Sequence, residues 1–508
     1  MIASQVILVG TAALLVVGLY NVIYQLLFSA LSKIPTPHWS CHFSNIWLWY
    51  VRLFHKENEL VYRAHMTKGK ALRLAPDVLS LNSFNDGLKP IYLGGFPKTE
   101  FYTRGFMNYE THNIFTFEDN ATHSTRKRLI SNTFSKSYIL SSATARGSIR
   151  DVLFGRLLPI IDASAVSEKP LEMLDLSYAY SMDSFVQWQF GRRLGSNLVE
   201  DHAERRLYLD GFFAAAPYTF WQFEFPTMNR LLKFIRAIPR KVDTGFHDIE
   251  RWNLAKCDGA YKLLKSGEEL CEDDQPVVFS HQAKSMTNID SESNGDGKGQ
   301  DYPARLDIAS DMFAHNSAAH ETSGNTLGYL YYEMSRRPDI QKKLREELLT
   351  LDPPLRFPQA PDPNGELNLP APKEVDSLPY LEAVILETLR LHPSVPGGQP
   401  RRVPRPCSLG GYDNIPVGTT VQCSAYTLHR TPEVFPEPET WNPERWINAS
   451  KDELSTMRRW FWAFGSGGRM CIGSNFAYFC KFCSASARTP GYISSHKTNV
   501  INLLVLQR

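Results

Sequence analysis

One cysteine of this chain stands in a setting suited to chemistry. Cys471 lies in the stretch Phe464-Gly-Ser-Gly-Gly-Arg-Met-Cys-Ile-Gly473, where four glycines and an arginine surround the sulfur. Glycines permit positive φ and let the backbone come close to a flat ligand. Backbone N–H groups in such a loop can point at the sulfur and favour its thiolate, and a bound metal deprotonates it outright. Arg469 offers a permanent charge for a carboxylate. The plainer alternative is a glycine-rich turn around a buried structural cysteine.

Three further groupings carry candidate residues. Glu387 and Arg390 are three apart on a strongly apolar helical segment, so they share a face and can pair away from water. Ala318-Ala-His-Glu-Thr-Ser323 places an acid and a hydroxyl after two small residues within a long helical run. Its plain reading is close helix packing. His123-Ser-Thr-Arg-Lys-Arg128 is a basic segment that also reads as an ordinary solvated helix face.

The elements that must position these residues are mostly helical. Apolar periodicity predicts helices over Leu306–Arg336, Pro338–Leu349 and Pro379–Leu391. The third buries Leu381, Val384, Ile385 and Leu389. Lys70–Asn82 alternates around a Pro-Asp turn and predicts short strands, and Cys407–Cys423 predicts strands and turns. Helical patterns also fill His123–Val199 and return between Asp201 and Leu264. The polar run Lys284–Gln300 predicts a surface loop. The expected fold class is mainly α with a minor β part.

Taken together the motifs resemble the cytochrome P-450 family. The cysteine stretch matches the family's haem-binding signature F-x-x-G-x-R-x-C-x-G at Phe464, Gly467, Arg469, Cys471 and Gly473. Glu387 and Arg390 match its ExxR pair. Pro443-Glu-Arg-Trp446 resembles its PERF motif, with Trp for Phe, and adds Arg445 to a structural charge triad. Ala318–Ser323 resembles its oxygen-activation motif, with Ala319 where Gly is commonest. His123 and Lys127 occupy the two spacings of its W-x-x-x-R motif. The resemblance implies haem b held axially by Cys471. It implies propionate contacts from His123, Lys127 and Arg401, and a proton path through Glu321 and Thr322. It also implies O2 and a hydrophobic small molecule as substrates, and electrons from an NADPH–cytochrome reductase. Arg126, Lys127, Arg128, Arg458, Arg459 and Lys481 form the expected basic face for that partner. Overall character resembles fungal microsomal enzymes of secondary metabolism. The alternatives are an isomerase or dehydratase of the same haem type that needs no O2, and an inactive haem-binding product of a damaged gene.

Composition bounds the remaining classes. A net charge of +2 with 21% charged residues lacks the basic bias of a nucleic-acid binder. Eight sparse cysteines show no disulfide framework, which fits a reducing compartment. Val6–Leu31 is almost wholly apolar and long enough to cross a bilayer. Lys33, Arg52 and Lys56 follow it, which predicts a single-pass anchor in the endoplasmic reticulum with the body in the cytosol. A cleaved signal peptide would want a charged start and a shorter apolar run. The expected organisation is an anchor and hinge over 1–34 and a catalytic domain over 35–508. After Gly473 a helix begins as the family's does, over Asn475–Phe479, and the chain then departs from the family pattern through Cys-Lys-Phe-Cys483 into a Ser- and Thr-rich tail, as a truncated or mis-spliced gene would produce. Cys480 and Cys483 suggest a zinc site with Cys471, but the second ligand pair is missing.

Overall fold

The computed structural model describes residues 2–293, 304–359, 361 and 367–487. Seven helices matter for the site: α1 (Ile2–Ile23), α2 (Asn120–Arg128), α3 (Met173–Phe190), α4 (Arg305–Ser335), α5 (Pro338–Leu348), α6 (Pro379–Leu391) and α7 (Ser474–Ala487). Proline at the first position starts both α5 and α6, where its missing N–H costs nothing. The strands are β1 (Ala71–Ala75), β2 (Val78–Leu81), β3 (Arg401–Arg402), β4 (Cys407–Leu409), β5 (Tyr412–Ile415) and β6 (Thr420–Gln422).

The sheet order is β1-β2-β6-β3. β1 and β2 are antiparallel around Pro76-Asp77, β2 runs parallel to β6, and β3 is antiparallel to β6. β4 and β5 form a separate hairpin. The mainly α architecture with a small β part therefore matches the expectation.

The core is built on α3 and α4. From Leu176 to Phe190 every residue of α3 is buried, so this helix is covered on all sides. Its contact with α4 is close because Gly324 has no side chain. A Cβ there would lie 2.3 Å from the Tyr178 ring. The buried acid of α3, Asp183, accepts hydrogen bonds from Ser196 Oγ and from the N–H groups of Leu198 and Val199. α6 buries Leu381, Val384, Ile385 and Leu389, and α5 buries Ile340, Leu344 and Leu348.

At the N-terminus, α1 continues into a wide helical turn, Tyr24–Phe28, and most of the described side chains along this run are exposed. Gln5–Phe28 is long and apolar enough to cross a membrane. Leu31 and Ile34 instead pack into the cluster beside the sheet, so the exposed apolar run stops short of Leu31.

Two expectations are corrected. The polar run from Lys284 is not a loop throughout, because a helix, Val277–Ser293, extends across its first half. Val278, Phe279 and Gln282 bury the start of that helix, and this packing outweighs the polar composition that follows. Residues 294–300 of the same run lie outside the described residues. The helix after the cysteine loop also runs further than its sequence suggested, to Ala487. The tail from 488 onward lies outside the described residues.

Candidate haem site

The cysteine loop is shaped by backbone that only glycine adopts readily. Gly465 and Gly467 have φ of +70° and +69°. A Cβ on Gly467 would lie 2.3 Å from the carbonyl oxygen of Tyr92. This close approach brings the loop down on the segment that ends at Leu93. The Cys471 N–H donates to the Phe464 carbonyl at 2.9 Å, closing the loop, and Cys471 is exposed. Phe464 packs on Tyr478 of α7 at 5.2 Å, and Gly473 immediately precedes that helix.

Arg469 turns to the chain just before α2. Its guanidinium donates to the carbonyls of Phe117 at 2.7 Å, Glu118 at 2.9 Å and Asp119 at 2.7 Å, and to Asn120 Oδ1 at 3.1 Å. Four of its five N–H groups are thus used to fix where α2 begins. Lys127, the penultimate residue of α2, reaches back. Its ammonium donates to the carbonyls of Gly468 at 3.1 Å and Met470 at 2.8 Å. The loop and α2 therefore hold each other through two cations.

Around these two lies a dense positive cluster. Arg401 is buried. It donates to Tyr102 Oη at 2.6 Å and to the Pro400 carbonyl at 2.8 Å, and it lies over the rings of Tyr92 and Tyr102. His123 is buried, and burial together with Arg469, Lys98, Lys127 and Arg401 pushes its imidazole down to about 3. Lys98, which the sequence did not single out, is buried between the rings of Tyr102 and Phe115 at 4.0 and 3.9 Å. Burial and the neighbouring Arg401, Arg469 and Lys127 hold its ammonium well below the ordinary lysine range. Burial and Arg401 likewise press Arg469 down to about 10. The acid that bears on this cluster, Asp119, is engaged in capping α2 through the Thr122 N–H at 2.7 Å. Several cations packed together with no free carboxylate repel one another, and an anionic ligand relieves that repulsion.

On α4 the face carrying Ala318 is open. Ala318 is exposed, whereas Ala314, Ser317, Glu321 and Thr322 are half-buried along the same face. Thr322 Oγ1 donates to the Ala318 carbonyl at 2.7 Å. Ser394 Oγ and Thr326 Oγ1 both donate to the Thr322 carbonyl, at 2.6 and 2.9 Å. Burial pushes the Glu321 carboxyl above the usual range, which makes it able to hold a proton.

The Glu387–Arg390 pair is fully buried. Arg390 donates to both carboxylate oxygens at 2.8 Å, and both side chains are 0% exposed. Arg445 joins at 3.3 Å, the Asn442 N–H at 3.0 Å and Trp446 Nε1 at 2.9 Å. The tryptophan that replaces phenylalanine in the PERF-like motif thus gives the carboxylate one more donor. Arg390 also donates to the carbonyls of His429, Pro438 and Thr440.

The expected basic face is only partly present. Arg126 turns inward, and its Nε donates to Asp311 at 2.6 Å, where Asp311 is 1% exposed. Arg458 pairs with Glu382 at 3.1 Å. Arg128 and Arg459 are exposed, and the side chain of Lys481 lies outside the described residues. Cys480 is buried in the core, and among the described residues no group of three His, Cys, Asp or Glu gathers as a metal site.

The family model "Cytochrome P-450" matches residues 89–482. A cytochrome P-450 monooxygenase of Aspergillus niger is 26% identical over 472 residues, covering 91% of this chain and 86% of that protein. One from Aspergillus hancockii is 26% identical over 484 residues, covering 90% and 83%. Cytochrome P-450 3A12 of Canis lupus familiaris is 29% identical over 69% of this chain, and that match spans 63% of the dog protein. The chain belongs to the cytochrome P-450 family, the haem-thiolate oxidoreductases of the monooxygenase class.

Proposed function

We propose that this protein inserts one oxygen atom of O2 into a hydrophobic small molecule of fungal secondary metabolism, with electrons from NADPH through a membrane-bound reductase. The observation that carries the reading is the pairing of two features that need one flat, dianionic, metal-bearing ligand. One is an exposed cysteine in a glycine-shaped loop. The other is the adjoining cluster of Lys98, His123, Lys127, Arg401 and Arg469 without a free acid.

In this reading haem b is the group, and its thiolate-held iron supplies the redox chemistry that splits O2. Cys471 would hold its iron through the thiolate. Gly467 lets the loop lie against the Tyr92 carbonyl, Gly473 leaves the side of the sulfur clear, and Phe464 packs the loop against α7. Arg401, His123, Lys98 and the remaining N–H of Arg469 receive its two carboxylates. Lys127 acts at one remove, by holding the loop carbonyls of Gly468 and Met470. Ala318 keeps the helix face clear for O2 and substrate. Glu321, pushed towards its protonated form, and Thr322 pass protons inward. Residues 1–34 anchor the enzyme in the endoplasmic reticulum membrane, and residues 35–508 form a cytosolic catalytic domain.

Thr322→Ala tests the chemistry. Positioned proton transfer contributes roughly 10²–10⁴ in rate. The variant should bind haem and consume NADPH through a reductase. It should release more hydrogen peroxide and form less product from a substrate that shifts the haem spectrum. Unchanged coupling would place the proton path elsewhere. Product formed without O2 or NADPH would favour an isomerase or dehydratase, and the acid–hydroxyl pair Glu321–Thr322 weighs against that outcome.

A further inference from the structure

We propose that His429 is a positioning residue for the cysteine loop. It fixes Trp462, two residues before the loop, to the helix that carries the Glu387–Arg390 pair. The inference rests on the reading that Cys471 holds the haem iron.

His429 is 0% exposed. Its Nδ1 lies 2.9 Å from the Arg390 carbonyl, and its Nε2 lies 2.7 Å from the Trp462 N–H nitrogen. A carbonyl can only accept and an amide N–H can only donate. The ring must therefore carry its proton on Nδ1 and keep Nε2 bare, which is one neutral tautomer. The imidazolium cannot make the second bond. Burial beside Arg390 and Arg430 pushes the imidazole down to about 3, so the neutral form prevails. The ring also stacks on Phe461 at 5.3 Å and 6°. The tie to α6 is reciprocal, because Arg390 Nη1 donates to the carbonyl of His429 at 3.0 Å.

Trp462 is where this tie reaches the loop. Its carbonyl accepts from the Gly465 N–H at 3.1 Å, and its indole N–H donates to Ser466 Oγ at 3.0 Å. Its ring lies 4.5 Å from Tyr92, whose carbonyl sits beneath Gly467. A displacement of Trp462 therefore moves Gly465, Ser466 and the Tyr92 seat of Gly467, the first half of the turn that presents Cys471. Groups that orient a ligand-bearing segment in this way tune the ligand without touching the metal. The buried charge network thus acts on the thiolate through His429.

The test compares full-length, haem-loaded wild type with His429→Phe, which keeps ring volume and stacking but loses both bonds. His429→Asn, which can keep one bond, is the graded variant. The readouts are the share of the reduced CO complex in the thiolate-diagnostic band, the haem reduction potential and the rate of haem loss to an acceptor. His429→Phe should move much of the CO complex out of that band, shift the potential and speed haem loss by roughly tenfold. His429→Asn should fall between it and wild type. A purely structural role would lower yield while leaving band and potential of the haem-loaded fraction unchanged, and that result overturns the proposal. If His429→Phe is insoluble, hydrogen exchange on wild type decides. A Trp462 amide as slow as the buried helices supports the tie, and one as fast as exposed loops overturns it. Wild type without the thiolate band would overturn the haem-thiolate reading itself, and this inference with it.

Discussion

Two buried charged regions of this molecule are built on opposite principles. Around Glu387 every strong donor has an acceptor: two arginines, an indole and a backbone N–H converge on one carboxylate. Around Lys98 and Arg401 the cations outnumber free acids, and burial compounds their mutual repulsion. The first region is complete within the chain and serves the fold. In the proposed reading the second is completed by an outside anion and serves binding. Buried charge alone does not mark a functional site, and the distinction lies in whether its partners are already present.

This comparison can be broken in graded ways. Glu387→Ala leaves Arg390 and Arg445 buried without their acid, at a cost of about 3–5 kcal/mol. It should give aggregate or protein that cannot keep haem, checked by soluble yield and haem content. A folded, haem-replete variant that is merely slower would contradict the structural role. Lys98→Met keeps the apolar stem between Tyr102 and Phe115 but removes a charge from the self-repelling cluster. Haem loss should be about tenfold faster, the worth of one charge-assisted contact. The haem-free protein should be no less stable to urea. A parallel fall in both would mean that Lys98 belongs with the first kind of region.

The smallest expected effect lies outside both regions. His315 is buried between Phe134 and Phe185, and among the described residues neither ring nitrogen has a hydrogen-bond partner. His315→Phe should stabilise the protein by about 1 kcal/mol at neutral pH, because an unsatisfied polar group disappears. Burial also lowers the His315 imidazole to about 4, from an ordinary 6.5. Below pH 6.5 the unfolded chain takes up a proton that the folded chain refuses. Stability from this group is therefore complete above pH 6.5 and is lost as pH falls towards 4, by about 1.4 kcal/mol per unit. Urea midpoints of wild type and His315→Phe between pH 7 and 5 should diverge, with the variant falling less.

Much of the framework was legible because each signal was local. Pro379 and the apolar positions of α6 mark that helix from the sequence, and Pro76-Asp77 marks the β1–β2 turn. Phe464–Gly473 is legible because Gly465 and Gly467 sit where backbone geometry demands glycine. The rest depended on tertiary direction. Nothing in His123–Arg128 says which of three consecutive basic residues turns inward, and Arg126 does so because the buried Asp311 awaits it on α4. Lys98 follows a lone proline and belongs to no pattern. Its role comes from residues far along the chain, Arg401 and Arg469. His429 was missed for the same reason, since both its partners are backbone groups and leave no trace in side-chain identity.

The central claim is that Cys471 is the thiolate that holds haem iron. The most direct measurement is the reduced CO difference spectrum of the full-length wild type beside Cys471→Ala, at matched haem content. The wild type should show the band diagnostic of thiolate ligation, and the variant should lack it while the cationic cluster still lets it take up haem. Persistence of that band in Cys471→Ala would contradict the account.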